Sequence, residues 1–265
     1  MGKNLPFKIK QKNNGILMKY HLAEAGGNIK EFIDKGYLKN LQFNILFSFA
    51  YYNNQMEIYQ KNGTHIIVDS GAFTFQQKGI KKLKSYMKNY NKFIENNKHY
   101  NNVHFIEMDI DNIIGYDEVK NIRNQLFEIT NNIIPVWHRS LGIKEYKNMC
   151  KTFDYISFSG VNKEDLINNK EMKQFVNYAH QHNCKVHGLG VGSKKTLLTV
   201  PFDSVDNTSW LKATRFGSYN NKKLSSEYLR TNYKKVALLE LLQGVKTAKY
   251  YENYWRKIEK NKIVS

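Results

Sequence analysis

Short apolar runs alternate along this chain with longer amphipathic, lysine-rich stretches. Eight runs read as strands: Ile16–His21, Phe43–Phe49, His65–Asp69, Val103–Asp109, Ile133–His138, Tyr155–Ser159, Lys185–Gly190 and Ser204–Thr208. Between them, Ile80–Asn96 places Ile80, Leu83, Met87, Tyr90 and Ile94 at three-to-four spacing, and Tyr116–Ile129 and Lys170–His182 repeat the pattern, which predicts helices. Strand and helix in alternation make βα units and a parallel sheet. Eight such units in about 250 residues predict an α/β fold of the TIM (β/α)8 type over residues 1–220. The remainder, 221–265, carries Leu238, Leu241, Leu242, Val245 and Ala248 as one apolar stripe. It is expected to be a basic C-terminal helix packed on the barrel within the same domain.

Composition narrows the partners. With 265 residues and 41% hydrophobic content the chain can bury a full core. Lysine and arginine number 41 against 23 acidic residues, a formal charge of +18. Such an excess favours a polyanion, nucleic acid above all, although a lysine- and asparagine-rich composition would inflate the count without any partner. Cys150 and Cys184 are the only cysteines, too few for a disulfide framework or a four-cysteine zinc site, so free buried thiols in a reducing compartment are expected. No apolar run reaches the roughly 18 residues of a membrane span. The first residues lack a secretory core, and Pro6 stands where a myristoylation signal wants Ser or Thr. A cytoplasmic protein without membrane contact is expected.

In barrels of this type chemistry sits where the strands end. The predicted ends carry Glu24, Tyr51, Asp69, Asp109 with Asp111, His138, Ser159-Gly160, Gly188-Leu189-Gly190 and Asp206. Asp69 is followed by Ser70 and Gly71, small residues that admit a planar ligand; it could equally cap the next helix. By alternation Glu107, Asp109 and Asp111 share one face, which demands either a ligand or an ion pair. His138 could transfer a proton or be a satisfied structural histidine. Asp203 and Asp206 have opposite parity, so only one can point inward, and Asp206 lies nearer the strand end. His180, His182, Cys184 and His187 straddle a helix end and a strand start, the wrong end of a barrel for chemistry, and no metal site is expected from them. Gly188-Leu189-Gly190 with Ser193 is a weak phosphate-loop pattern.

Taken in order, these segments resemble the tRNA-guanine transglycosylase superfamily, and more closely its short phage branch of DNA 7-deazaguanine transglycosylase-like proteins. The likeness runs from about Phe43 to Gly217. It rests on Val-Asp69-Ser-Gly-Ala-Phe, the strand ending in Asp109, Pro-Val-Trp-His138, Tyr-Ile-Ser-Phe-Ser-Gly160, Lys-Val-His187-Gly-Leu-Gly, and Ser-Val-Asp206-Asn-Thr-Ser-Trp210 followed by Arg215-Phe-Gly217. The resemblance implies exchange of guanine in a polynucleotide for a 7-deazaguanine such as preQ0 or preQ1, through a covalent glycosyl-aspartate. By the match Asp206 is the nucleophile and Asp69 the acid/base. Asp109 would bind the guanine edge, with His138, Ser70, Gly71, Ser159, Gly160, Gly188, Leu189 and Gly190 around the base. Arg215, Lys222, Lys223, Lys234 and Lys235 would meet the phosphate backbone, DNA rather than tRNA, and no cofactor is needed. Two departures stand out. The zinc site that many family members carry after the barrel has no cysteines here, and Phe202-Asp203-Ser-Val keeps Asp203 as a rival nucleophile. Other readings are a tRNA-directed transglycosylase, a nucleic-acid-binding barrel without catalysis, and a small-molecule hydrolase or lyase.

Overall fold

The structure is a computed structural model and describes residues 17–24, 26–52, 54–72, 83–159, 168–219 and 222–264. Eight parallel strands form the barrel: β1 (Lys19–Ala23), β2 (Phe43–Ser48), β3 (Gly63–Asp69), β4 (Val103–Ile106), β5 in two halves (Ile133–Ile134 and Val136–Trp137), β6 (Tyr155–Ser159), β7 (Lys185–Leu189) and β8 (Ser204–Asn207). Pro135 divides β5 because it has no N–H to give the ladder. The first half of β5 pairs with β4 and the second with β6. The Pro135 carbonyl still accepts from Ser157 N at 2.7 Å. β1 pairs with both β2 and β8, so the ring closes.

All eight expected strands are present, with shifted ends. Ile16 and Ile80, at the expected starts of the first strand and of one helix, lie outside the described residues. β1 runs on to Ala23, and β4 stops at Ile106 rather than Asp109. Helices occupy Leu83–Asn97, Tyr116–Ile129 and Asn169–Gln181. The last of these starts on a capping box in which Asn168 accepts from Glu171 N and the Glu171 carboxylate returns to Asn168 N.

Alternation along the strands divides the core into two shells. One set of positions, including Ile45, Phe47, Ile66, Val68, Phe105, Trp137 and Phe158, is buried toward the helices. The other set points into the ring, where Ala23, Leu46, Ile67, Ile106, Ile134, Val136 and Tyr155 pack together. Inner positions are polar before and after this apolar plug: β3 runs His65, Ile67, Asp69, and β2 runs Asn44, Leu46, Ser48.

Chain beyond the barrel forms the helix Ser226–Val264, interrupted by non-helical dihedrals at Asn232. Leu241, Val245, Ala248, Tyr251 and Trp255 are buried against the barrel, and Leu238 and Leu242 are partly so. Trp255 Nε1 donates to Leu197 O at 2.8 Å. Gly244 lets the helix approach Trp210; a Cβ there would stand 2.9 Å from Trp210 Cβ. Among the described residues no helix is long and apolar enough to cross a membrane.

Candidate active site

Two aspartates distant in sequence close the inner face at the C-terminal ends of β3 and β8. Asp69 ends β3 and is half-buried. Its Oδ2 accepts from Gly71 N at 3.2 Å. Gly71 has φ +74°, and a Cβ there would lie 2.5 Å from Ala50 Cβ, so only glycine fits the turn that presents Asp69. Burial first, then the charge of Asp206, lifts the Asp69 carboxyl to about 6; the Gly71 hydrogen bond pulls it down and Asp109 adds a further push upward. Asp206 and Asp109 are therefore near enough for their charges to act on Asp69.

Asp206 is buried, and its Oδ1 accepts from Gly190 N at 2.9 Å. His187 Nε2 lies 3.2 Å from the same oxygen, without the alignment of a hydrogen bond. The imidazole is fully buried, its Nδ1 meets Ser204 Oγ, and that hydroxyl is also bonded to the Tyr155 OH. Asp206 thus rests on a buried chain of His187, Ser204 and Tyr155. Its rival Asp203 faces the helical layer, where Oδ2 meets His180 Nε2 at 2.8 Å and accepts from Val186 N at 2.8 Å. Strand parity separates the two as expected.

Motifs alone do not single out the layer of histidines below. His21 Nε2 and His65 Nδ1 are 2.8 Å apart, His65 packs on His104 with ring centroids 4.8 Å apart, and His21 meets His187 edge-on at 5.8 Å. Burial holds His21 and His65 well below the usual imidazole range and His104 down to about 3, so these rings are neutral. Inward parity on four strands was the available signal.

The expectation that Glu107, Asp109 and Asp111 share a face is corrected, because pairing in β4 stops at Ile106. Glu107 is buried in a two-point ion pair with Arg123, Nε to Oε2 at 2.6 Å and Nη2 to Oε1 at 2.9 Å, and also accepts from Val136 N at 2.6 Å. Asp109 is at the mouth with its Oδ1 on His138 Nε2. Asp111 opens the short helix Asp111–Ile114. Donor atoms of Asp109, Asp111 and His138 lie within 4.8 Å of one another, a set able to hold a divalent cation.

Of the remaining expected base-slot residues, Ser70 turns its hydroxyl onto Glu107 O at 2.8 Å. Leu189 reaches the inner cluster. At Gly188 the side-chain position points to the helical layer, where a Cβ would stand 2.8 Å from Val191 Cγ2, so only its main chain is available to the slot. Gly190 N is engaged by Asp206. Ser159 ends β6 opposite Leu189, but its side chain and Gly160 lie outside the described residues. Among the basic residues, Arg215 is exposed and donates to Thr208 Oγ1 at 3.2 Å, two positions from Asp206. Lys223 and Lys235 are exposed, Lys234 is paired with Glu31, and the Lys222 side chain lies outside the described residues.

The other histidine-rich stretch is dispersed. His180 is on Asp203, His182 Nδ1 is 2.9 Å from Tyr178 O, and Cys150 and Cys184 are buried thiols outside any disulfide.

No protein-family model matches the chain, and no curated protein does. Among solved structures, a GH10 endoxylanase retrieved from a sugarcane soil metagenome is similar over 86% of this chain and 100% of its own, with 11% identity and a TM-score of 0.49. A likeness so slight has no bearing on the chemistry.

Proposed function

We propose that the chain is a base-exchange transglycosylase that replaces guanine in DNA with a 7-deazaguanine base through a covalent glycosyl-aspartate. The observation that carries this reading is the pair of inward carboxylates in unlike surroundings: Asp69 raised to about 6, and Asp206 held by the Gly190 N–H beside His187. Two carboxylates whose environments differ suit one for proton transfer and the other for attack.

In the proposed reaction Asp206 attacks C1′ of the target nucleotide, forming a C–O bond as the bond to guanine N9 breaks. Protonated Asp69 gives its proton to the departing base. The resulting Asp69 carboxylate then takes the N9 proton of the incoming 7-deazaguanine, whose nitrogen attacks C1′ and frees Asp206. Two displacements retain the sugar configuration, and a carboxylate beside an oxocarbenium-like transition state stabilises it. Protons balance over the cycle, so no cofactor is required. Asp109, with His138 on its Oδ1, would accept from the N1 and N2 donors of the guanine edge. Arg215, Lys223 and Lys235, together with the net charge of +18, suit a phosphate backbone, and the target nucleotide has to leave the stack to reach the mouth. The resemblance to the phage branch of the transglycosylase superfamily supports DNA as the polymer.

Incubation with guanine-containing DNA and a 7-deazaguanine base, followed by denaturing electrophoresis and nucleoside analysis, tests the proposal. A protein–DNA adduct lost in Asp206→Ala and a new 7-deazaguanine nucleoside are expected. An adduct that survives Asp206→Ala removes the assigned nucleophile. Incorporation into tRNA alone redirects the polymer, and DNA binding without adduct or product leaves only a binding barrel.

A further inference from the structure

At the opposite end of the barrel, where the strands start, a cavity of about 340 Å³ lies between β1, β2, β3 and the C-terminal helix. We propose that it is a second ligand site, for a phosphomonoester carrying an apolar or aromatic body. This inference does not depend on the transglycosylase reading.

Three cations border the cavity: Lys19 at the start of β1, and Lys249 and Arg256 on the helix. None of them forms an ion pair among the described residues. The one carboxylate in the lining, Glu252, is engaged by neutral donors: its Oε1 accepts from Tyr20 N at 3.0 Å and from Asn44 Nδ2 at 2.6 Å. Burial pushes Glu252 upward, and the Tyr20 and Asn44 hydrogen bonds with the charges of Arg256 and Lys249 only partly offset it, so one carboxylate faces three cations. Positive charge is therefore in excess at this end.

Lys19 reports the same imbalance. Loss of hydration, followed by the charge of Lys185, lowers its ammonium to about 8 against the smaller upward pull of Glu252 and Asp203, although the residue as a whole is exposed. A bound dianion would relieve both effects.

Size and wall chemistry narrow the class. The volume falls in the range of pockets for small organic ligands and far exceeds what a bare phosphate fills. Met18, Val245 and Ala248 give apolar walls for the body of the ligand, and Lys19, Lys249 and Arg256 belong to the same lining. An arginine with two lysines matches the charge and the acceptor oxygens of a terminal phosphate better than those of a single carboxylate. Such a phosphate could belong to a free nucleotide or to the 5′ end of a nucleic acid.

Isothermal titration in phosphate-free buffer tests the site with adenosine 5′-monophosphate, adenosine, inorganic phosphate and a 5′-phosphorylated oligonucleotide. Saturable one-to-one binding of the monophosphate is expected, with adenosine inert. The Lys249→Glu/Arg256→Glu protein should bind more than about tenfold more weakly, since it reverses two of the three attractive charges. Both residues are exposed, and circular dichroism checks the fold; Lys249→Gln is the milder second variant, with a smaller loss. Asp206→Asn should leave this binding unchanged, which separates its failure from that of the proposed base exchange. Competition by the oligonucleotide identifies a nucleic-acid end as the ligand, and its absence a free small molecule. Equal binding of adenosine, wild-type affinity in the double variant, or loss of binding in Asp206→Asn each overturns the proposal.

Discussion

Consider the protein taken from pH 7 to about pH 5. In the unfolded chain each histidine titrates near 6.5 and takes up a proton over this interval, whereas His104 in the barrel, lowered to about 3 by burial, does not. When the unfolded state binds the extra proton, stability falls as pH falls, and the loss is fully expressed only below the folded pKa. For His104 alone the drop removes about 2 kcal/mol. His21 and His65 are held down by the same cause and add to the loss in the same direction. Asp69 opposes it: lifted to about 6 in the fold, it takes its proton before the unfolded chain does and returns about 1 kcal/mol. Against a usual stability of about 5–15 kcal/mol the net loss is large, so the urea midpoint should fall steeply between the two pH values. The His104→Leu protein isolates one ring, because His104 Nδ1 is buried without a partner and the change breaks no bond to it. Urea denaturation followed by circular dichroism at both pH values is the assay. A wild-type loss under about 1 kcal/mol, or an unchanged pH slope in His104→Leu, refutes the neutral layer.

Gly71→Ala should destabilise the barrel by about 1–3 kcal/mol and cripple base exchange, because the turn at φ +74° has no room for a methyl group; thermal unfolding and adduct yield measure the two effects. Arg123→Met leaves Glu107 buried and unpaired and should cost about 3–5 kcal/mol, read from denaturant midpoints, while Glu107→Gln/Arg123→Met together should cost less. His187→Ala removes the ring beside Asp206 and should lower kcat more than about tenfold with KM little changed; equal kcat would reduce His187 to a packing residue. The base-exchange rate should show a limb near pH 6 that reports Asp69 and vanishes in Asp69→Asn, and a limb that persists in the variant belongs to another group.

Much of the fold was legible because a strand in a closed barrel must alternate between two buried shells. Eight apolar runs punctuated by polar, helix-periodic stretches have few other ways to fold. The same rule placed Asp69 and Asp206 inward and sent Asp203 outward to His180. It failed at Glu107-Met-Asp-Ile-Asp111, where alternation in sequence outlasts the pairing of β4. The partner that claims Glu107 sits sixteen residues on, in a helix, and no local pattern announces Arg123. The histidine layer escaped for a related reason. His21, His65, His104 and His187 each look like a lone imidazole in its own strand, and only ring closure makes them neighbours.

Parallel strands give this barrel two unlike ends, and the inner positions make the difference chemical. At the strand starts stand Lys19 and three imidazoles, and at the strand ends stand Asp69, Asp109 and Asp206, with an apolar plug between. Carboxylates gathered at one mouth would repel one another and take up protons without compensation; the upward shift of Asp69 is that repulsion, added to burial. Asp206 is buried against different groups, the Gly190 N–H and the His187 ring. The buried chain of His187, Ser204 and Tyr155 beneath Asp206 therefore gives it surroundings unlike those of Asp69. On that logic, substitutions at Ser204 or Tyr155, which touch neither aspartate, should act on Asp206 through His187 and leave the pH limb of Asp69 where it is.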